Sequence, residues 1–256
     1  MISDEKKVII NELVCDCLDE AESIWEEVGP KVVKKAMAAM FEAAEVSQIP
    51  GHPIVESGKP KVDTFIAMAV DMRDSTKHLM CAISSKTAKI SQLQRIFYET
   101  SALLPAMAKL IFFEDGSVTE YLGDGVLGLF RVTEKNTDAI YSANRASKNC
   151  LYAVNDIINP ILYKRYGLPP LAIGIGLAMS KAVVTLVGTD DYKQPKAFGE
   201  CVFRATKLSG GNNEILTDEA LKNAWPCSKT GTLKFLKRNM KNIDGYLLHK
   251  ETVKEK

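Results

Sequence analysis

The chain contains 256 residues, of which 46% are hydrophobic and 25% charged, proportions typical of a globular protein that builds a full core. Its 33 basic and 32 acidic residues leave a formal net charge of +1, which excludes the strongly basic surface expected of a protein that binds nucleic acid or an anionic membrane. We therefore expect neither nucleic acid nor a membrane among its partners.

The cysteines and the first residues indicate the compartment. The six cysteines form no Cys-x-x-Cys pair and no regular framework, as expected of small core residues in a reducing environment. The chain opens with Met1-Ile2-Ser3-Asp4-Glu5, which lacks the basic and apolar regions of a signal peptide. Its longest apolar runs are too short to span a bilayer. These features predict a cytoplasmic protein.

Residues 1–45 predict two helices. Apolar residues recur at helical spacing through the first helix, and Gly29-Pro30 is expected to end it and begin the second. A leading helical hairpin of this kind serves either dimerisation or packing against its own domain, and the sequence leaves both open. Residues 47–60 contain three prolines and two glycines and indicate a linker. We predict an N-terminal helical segment and linker over 1–58 and a second unit over 59–256.

From residue 62 onward, strand and helix patterns alternate. The predicted elements, in order, are a strand at 62–70, a helical region at about 75–110 with a candidate break before Pro105, a hairpin at 117–131, a helix at 136–166, strands at 171–179 and 182–187 joined by a turn at Ser180-Lys181, a helix at 199–209, a strand at 214–217, a helical turn at 218–224, and strands at 232–236 and 245–249. This order predicts an α+β fold in which helices pack on one face of a largely antiparallel sheet.

Two short acidic turns follow buried strands of this region. Asp71 comes directly after the apolar run 65–70, and Asp124 lies between two glycines at the tip of the predicted hairpin. A buried carboxylate is costly without a cation or donors, and two brought together repel unless a metal ion lies between them. We therefore predict a divalent-metal site at Asp71 and Asp124. In the alternative interpretation, Asp71 caps the following helix and Asp124 serves only its turn.

Four motifs, in order over about residues 62–216, resemble those of the class III nucleotide cyclases, the adenylate and guanylate cyclase catalytic domain family. They are the metal turn Asp71-Met72-Arg73-Asp74-Ser75-Thr76, the hairpin Glu120-Tyr121-Leu122-Gly123-Asp124-Gly125, the strand pair at 175–188, and the stretch 196–202 with Ala205 that enters the catalytic helix. The resemblance implies a ferredoxin-like core, preceded here by the helical hairpin, and a catalytic domain over 59–256. The metal turn lacks the aromatic residue usual at the Ser75 position and looks most like that of the bacterial Pycsar antiphage cyclases, which use pyrimidine nucleotides.

The resemblance implies two Mg²⁺ or Mn²⁺ ions per site, held by Asp71, Asp124 and the Met72 carbonyl. Such ions acidify the 3′-hydroxyl of a nucleoside triphosphate, which attacks its own α-phosphorus and expels pyrophosphate. Asp74 is interpreted as a helix N-cap rather than a third ligand. Arg73 is a candidate contact for phosphate or base, with a solvated arginine as the alternative. Backbone amides at the helix start are expected to hold the polyphosphate, and they belong to Arg73, Asp74, Ser75 and Thr76.

Glu120 and Lys196 occupy the two base-reading positions of the family. A carboxylate accepts a hydrogen bond and an ammonium donates one, so together they complement an N–H beside a carbonyl, as in uracil or guanine. Adenine and cytosine present the opposite pattern. If both side chains face the site, UTP or GTP is favoured, and the Pycsar resemblance places UTP first. In the alternative interpretation both side chains are merely exposed, and CTP stays open because a tyrosine or Arg73 could read the base.

The catalytic helix departs from the family pattern. Where the family has an asparagine and, four residues on, an arginine that stabilises the transition state, this chain has Phe203 and Lys207. Lysine supplies a point charge but not a planar fork, and phenylalanine cannot replace an amide. The candidate catalytic cations are therefore Lys207 and Arg204. Slow turnover or a catalytically silent nucleotide-binding domain are the other readings of these departures.

The sequence thus predicts a Pycsar-type cyclase that converts a pyrimidine nucleoside triphosphate, with UTP favoured, to the 3′,5′-cyclic monophosphate. The alternatives are a cytidylate cyclase, a guanylate or adenylate cyclase, and a silent cyclase-like domain. The resemblance implies a homodimer with two sites at the subunit interface, because metal, base and transition-state residues come from different subunits in this family. It also implies a downstream effector protein that binds the cyclic product during phage infection.

Overall fold

The computed structural model describes residues 2–32, 47–56, 58–80, 90–134, 136–189, 192–227, 232–240 and 242–250. Its helices are α1 (Asp4–Val32), α2 (Ser75–Met80), α3 (Gln92–Phe112), α4 (Asn136–Ala153), α5 (Asn159–Tyr166), α6 (Glu200–Leu208) and α7 (Glu219–Ala224), with a π-helical turn, Val154–Ile158, joining α4 to α5. Its strands are β1 (Lys61–Met72), β2 (Ser117–Tyr121), β3 (Gly125–Arg131), β4 (Ile173–Thr189), β5 (Tyr192–Gly199), β6 (Glu214–Thr217), β7 (Leu233–Met240) and β8 (Ile243–Lys250).

The strands form one sheet in the order β2-β3-β1-β4-β6-β8-β7, and β5 pairs with the second half of β4. The β4–β6 pair is parallel, and the other described pairs are antiparallel. The central strand β1 pairs along its whole length with β4, from Lys61 opposite Val184 to Met72 opposite Ile173. The predicted α+β fold with helices on a largely antiparallel sheet is confirmed.

The two faces of the sheet carry different layers, because alternate residues of a strand point to opposite faces. On one face, β1 contributes Ile66, Met68 and Val70 to the main core, which α1, α3 and α4 cover. On the other face, Phe65, Ala67 and Ala69 belong to a smaller cluster with Cys201 and Ala205 of α6. Helix α6 therefore lies on the face opposite the other long helices.

Helix α1 contributes to the main core of the same chain. Ile10, Val14 and Leu18 are fully buried there. The predicted helix end at Gly29-Pro30 is wrong, because α1 continues to Val32. A proline removes one amide donor and bends a helix, but it does not have to end it. The second predicted helix of the hairpin lies largely outside the described residues, and the boundary near residue 58 stays a prediction.

The hairpin at 117–131 and the helical stretch at 136–166 are confirmed, but two predicted interruptions are wrong. Strand β4 runs straight through Ser180-Lys181, because these residues pair with Phe65 and Thr64 of β1 and remain extended. The strand that folds back on β4 is β5, which the sequence reading missed. Helix α3 likewise continues through Pro105. Among the described helices, none is both long and apolar enough to cross a bilayer.

Candidate active site

The structure brings the two acidic turns side by side. Asp71, near the end of β1, lies opposite Gly125 at the start of β3. The Met72 amide donates a hydrogen bond to the carbonyl of Asp124 (3.1 Å). Gly125 is required here, because a Cβ at this position would lie 2.3 Å from the Val70 carbonyl oxygen. The small residue lets the Asp124 turn approach β1 closely enough to place both aspartates at one end of the sheet.

Arg73 lies against this acidic pair. Its guanidinium forms an ion pair with the Asp71 carboxylate, and its amide donates to the Ala172 carbonyl (2.8 Å). The arginine side chain is only 18% exposed. Burial lowers the pKa of Arg73, while the nearby carboxylates of Asp124 and Asp74 oppose that shift by favouring the charged form. The guanidinium therefore faces negative charge from both turns.

The residues present fit a magnesium or manganese site. Within the described ranges, no cluster of three or more His, Cys, Asp or Glu side chains forms that could hold a metal alone. Mg²⁺ is commonly bound through one or two carboxylates and completes its shell with water and substrate phosphates. Asp71, Asp124 and the main-chain carbonyl of Met72 supply such a partial set; the Met72 side chain itself is buried in the core.

Asp74 points away from this pair. Its carboxylate is 56% exposed and pairs with Lys77 (2.7 Å) one turn along α2. Its carbonyl accepts the amide of His78 (2.9 Å), as an N-cap carbonyl does. Its φ of 57° is left-handed rather than the extended backbone usual at an N-cap. The capping role predicted for its side chain is therefore replaced by an ion pair with Lys77, and Asp74 stays outside the acidic pair.

A buried ionic group that the sequence reading missed supports α2. Glu99 of α3 is fully buried and accepts hydrogen bonds from Arg95 (2.7 Å) and from the ring of His78 (2.8 Å). The contact fixes α2, which begins at Ser75 with the predicted phosphate-binding amides, against α3. The sequence signal for this group is the pair Arg95 and Glu99, four positions apart on the apolar side of α3. Charged residues at such positions indicate an internal ion pair, because an unpaired charge in a core is costly.

Glu120 and Lys196 meet, although they lie 76 positions apart in the chain. The Lys196 ammonium is 3.2 Å from the Glu120 carboxylate, and both side chains are about one-third exposed (29% and 32%). A bulge between Val118 and Glu120 shifts the β2–β3 register, and the Thr119 hydroxyl donates to the Leu127 carbonyl (3.3 Å). Bulges of this kind re-aim the side chains next to them.

Glu120 and Asp71 project from the same face of the sheet. Asp71 alternates in phase with Ala67 and Ala69, which are buried beneath α6. Glu120 lies opposite Leu127, a member of the same cluster. One predicted metal residue and one predicted base-reading residue, Asp71 and Glu120, are thus presented on the face that carries α6.

Helix α6 packs very close to β4 and exposes its candidate catalytic side. A Cβ at Gly176 would lie 2.0 Å from the Ala205 carbonyl oxygen, so glycine is needed for this approach. Phe203 is 58% exposed, and the Lys207 ammonium lies 5.5 Å from its ring centroid. This distance is typical of a cation–π contact. The half-buried Lys207 is therefore held against the exposed ring of Phe203.

Arg204 takes part in a different arrangement. Its guanidinium donates to the Glu200 carboxylate at 2.6 Å, and this hydrogen bond raises its pKa. Arg204 also lines an open cavity of about 520 Å³ between α6 and the β7–β8 hairpin, together with Lys237, Asp244 and Tyr246. Phe203, which contacts Lys207, lines the same cavity, whereas Lys207 itself is not among its lining residues. The two candidate catalytic cations thus differ in their direct partners, Glu200 for Arg204 and Phe203 for Lys207.

Comparison with known proteins identifies the fold. No protein-family profile matches the sequence. An adenylate cyclase of Anabaena cylindrica is 25% identical over 170 residues, which cover 64% of this chain and 33% of that protein. The chain thus spans about a third of the length of this curated relative.

Among solved structures, the guanylyl cyclase Cya2 superimposes with a TM-score of 0.60 at 17% identity over 75% of this chain and 94% of its own. The adenylyl cyclase CyaB from P. aeruginosa gives a TM-score of 0.59 at 14% identity over 76% and 98%. A bacterial light-regulated adenylyl cyclase gives 0.55 at 16% over 74% and 52%. The chain therefore has the fold of the class III nucleotide cyclases.

Proposed function

We propose that this protein is a nucleotide cyclase that converts a pyrimidine nucleoside triphosphate, UTP before CTP, to its 3′,5′-cyclic monophosphate and pyrophosphate. The observation that carries the proposal is the meeting of the Asp71 and Asp124 turns at one end of β1 and β3, together with the contact between Glu120 and Lys196. Sheets of this kind host many activities, so the site rather than the fold supports the function.

The reaction requires a bond from the 3′-oxygen to the α-phosphorus and loss of the pyrophosphate group, with a proton leaving the 3′-hydroxyl. Two bound divalent ions would acidify that hydroxyl and neutralise charge on the transferred and leaving oxygens. Asp71, Asp124 and the Met72 carbonyl would hold them. The main-chain amides of Asp74, Ser75 and Thr76 at the start of α2 would orient the triphosphate, whereas the predicted Arg73 amide is already bonded to the Ala172 carbonyl. Lys207 would stabilise charge that develops at the α-phosphate.

The base preference follows from the chemistry of Glu120 and Lys196. A carboxylate that accepts from N3–H and an ammonium that donates to O4 would together recognise uracil. Guanine offers the same pattern through N1–H and O6, whereas adenine and cytosine would face Glu120 with an unprotonated ring nitrogen. The curated relative and the solved neighbours are named as adenylyl and guanylyl cyclases, so a purine cyclase is the direct competitor. The resemblance of the metal turn 71–75 to that of the Pycsar cyclases supports the choice of UTP ahead of GTP in this proposal.

Two subunits would complete each site. Following the class III arrangement, one subunit would supply Asp71 and Asp124, and its partner would supply Glu120, Lys196 and Lys207. This chain carries both sets, so a homodimer would contain two sites. The cyclic product would then act on a separate effector protein in phage defence.

A catalytically silent nucleotide-binding domain is the second candidate. It is favoured by the exposed Phe203 at the position of an amide, and by the engagement of Arg204 with Glu200. Such a domain would bind a nucleoside triphosphate without releasing pyrophosphate.

The deciding experiment incubates the protein with ATP, GTP, CTP and UTP separately in Mn²⁺ and identifies the products by chromatography. We expect cyclic UMP as the main product, and loss of that product in Asp71→Asn and Asp124→Asn. Asp138→Asn, in the exposed first turn of α4, is the matched control and should retain activity. Nucleotide binding without pyrophosphate release would select the silent domain, and a cyclic purine product would reject the pyrimidine assignment.

A further inference from the structure

We propose that Arg73 is an exchangeable counter-cation of the acidic pair, which holds Asp71 until a divalent ion binds and then turns to the triphosphate. This inference rests on the proposed function and deepens it, because it assigns Arg73 a position before substrate binding as well as after it. Arg73 is the cation that the structure places on the predicted metal ligand itself, through its ion pair with the Asp71 carboxylate.

The ion pair engages an oxygen that a metal needs. The Arg73 Nη2 atom is paired with Asp71 Oδ2, and its Nε donates to the Asp71 carbonyl at 3.4 Å. A guanidinium that holds this oxygen and a divalent ion that coordinates it would bring three positive charges together within a few ångströms. Their repulsion in a partly buried site is strong. We therefore expect Arg73 and the ion to compete for Asp71, and Arg73 to leave it when the ion binds.

The surroundings of Arg73 explain why the pair forms. Asp71 lies opposite Gly125, the residue that follows Asp124, and without a cation the two carboxylates would repel each other. Arg73 is 18% exposed and receives favourable charge from Asp124 and Asp74 as well as from its partner. It thus neutralises the acidic end of the sheet and stabilises the metal-free protein.

The release of Arg73 has a destination within reach. Arg73 stands at the beginning of the turn whose amides would orient the triphosphate, and its own amide is fixed to the Ala172 carbonyl (2.8 Å). The main chain can stay in place while the side chain rotates. A guanidinium that leaves a carboxylate can bind a phosphate instead, because the same planar set of N–H donors suits both groups.

The test measures Mn²⁺ binding without nucleotide, by electron paramagnetic resonance of the free ion, in the full chain and in Arg73→Gln. We expect about tenfold tighter Mn²⁺ binding in Arg73→Gln, because the ion no longer competes with a charged hydrogen bond. Arg73→Lys should bind Mn²⁺ with an intermediate affinity, since a point charge pairs with one oxygen but cannot form the fork. Asp71→Asn should remove the binding in either background.

Arg131→Gln is the matched control. Arg131 also pairs with an aspartate of β1, Asp63 (2.6 Å), and its loss changes the net charge equally. Asp63 lies eight positions from Asp71 along β1, roughly 27 Å away at the usual rise of a strand. We expect the Arg131→Gln variant to bind Mn²⁺ with the affinity of the unmodified chain.

Thermal unfolding supplies a second measurement. Without metal, Arg73→Gln should unfold at a lower temperature than the unmodified chain. Mn²⁺ should raise the unfolding temperature of Arg73→Gln by more than it raises that of the unmodified chain. Equal Mn²⁺ affinity in Arg73→Gln and the unmodified chain, with loss in Asp71→Asn, would overturn the Arg73 proposal and leave the metal site intact. An equal increase of Mn²⁺ affinity in Arg131→Gln would also overturn the Arg73 proposal, because the increase would then follow from net charge alone. Absence of Mn²⁺ binding in both the unmodified chain and Arg73→Gln would overturn the metal site as well.

Discussion

Glu120 and Lys196 satisfy each other across 3.2 Å and remain accessible enough to meet a base. An ion pair that is about one-third exposed contributes little to stability, so its two charges can be exchanged without large effects on folding. The pair is therefore suited to a change of specificity. The pair can be tested because uracil and cytosine present opposite hydrogen-bonding patterns at N3 and at the neighbouring group on C4.

The reversed pair, Glu120→Lys with Lys196→Glu, should change the preferred base. It preserves the net charge and the ion pair, but presents a donor where the N3 position lies and an acceptor where the exocyclic group lies. We expect the ratio of kcat/KM for UTP to that for CTP to fall by about 10–100-fold, since a mismatched buried polar contact costs about 1–3 kcal/mol.

Glu120→Lys alone should weaken UTP use without a comparable loss of thermal stability. Competition assays with mixed nucleotides provide the measurement for both variants. Unchanged selectivity in the reversed pair would show that Glu120 and Lys196 do not face the base.

The contacts of α6 separate the two candidate catalytic cations. Lys207 lies against the exposed Phe203 ring, whereas Arg204 is held by Glu200. We expect Lys207→Met to lower kcat by about 10²–10³-fold, the range seen when one transition-state donor is removed. Arg204→Met should change kcat by less than about tenfold, because its guanidinium is already engaged. The opposite ranking in single-turnover measurements would assign the transition-state charge to Arg204.

At the scale of elements, Asp63 joins the segment before β1 to the sheet by hydrogen bonds, in addition to the packing of Ile49 against Phe65 and its neighbours. Asp63 accepts hydrogen bonds from Arg131 (2.6 Å) and from the ring of the buried His52 (3.1 Å). Burial alone would raise the pKa of Asp63. Hydrogen bonds from the Thr64 amide, Arg131 and His52 outweigh burial and lower it. The contact therefore ties residues 47–56, which read as a linker from sequence, to β1 and β3.

Asp63→Asn should lower the free energy of unfolding by about 1–3 kcal/mol at pH 7. Because the pKa of Asp63 is depressed in the folded state, its stabilising effect is present above the unfolded pKa, near 3.9, and is lost as pH falls through the folded value. Urea unfolding from pH 7 downward should show the difference between Asp63→Asn and the unmodified chain constant above about pH 5 and shrinking only in stronger acid. A difference that already shrinks well above pH 5 would contradict the assignment to Asp63.

The elements that the sequence predicted well are those whose periodicity is local. The hairpin around Asp124 and the helical stretch at 136–166 follow from alternation and helical spacing. The continuity of β4 through Ser180-Lys181 depends on pairing with β1, a neighbour more than a hundred positions away, and no local pattern encodes it. The same applies to α3 at Pro105, where tertiary packing overrides the local signal for a break.

The residues of the candidate site also fall into those that the sequence predicts and those that only the folded chain brings together. The two acidic turns were visible as turns after apolar runs, and Glu120 and Lys196 were paired only through the family resemblance. The Arg73–Asp71 ion pair and the Glu99 network were missed, because each depends on burial and side-chain direction in the folded chain. Roles for these residues in catalysis stay predictions.

At the scale of the whole molecule, the sheet carries the main core on one face and the candidate site on the other. Helices α1, α3 and α4 cover the main core on one side, and α6 stands on the other with Glu120 and Asp71. Phe203 of α6 is a large apolar side chain that stays exposed on this second face. An interface between two copies formed through this face would cover it.

Complementation between variants tests this arrangement. In a mixed dimer of Asp71→Asn and Lys207→Met subunits, one site would combine both defects, and the other would combine the intact Asp71 and the intact Lys207. Equal mixing with random exchange gives about half mixed dimers, so roughly a quarter of the unmodified activity should return.

Each variant alone should be nearly inactive, because all of its sites carry one defect. The measurement is pyrophosphate release from the proposed substrate after the variants are mixed and allowed to exchange subunits. The double variant Asp71→Asn with Lys207→Met, mixed with the Lys207→Met variant, is the matched control, because no pairing of these chains restores a complete site. Activity no greater than the sum of the separate variants would place both sets of residues in a site built by one chain. Recovery would establish that the two sets meet across an interface between subunits, as isologous contact of the α6 face implies.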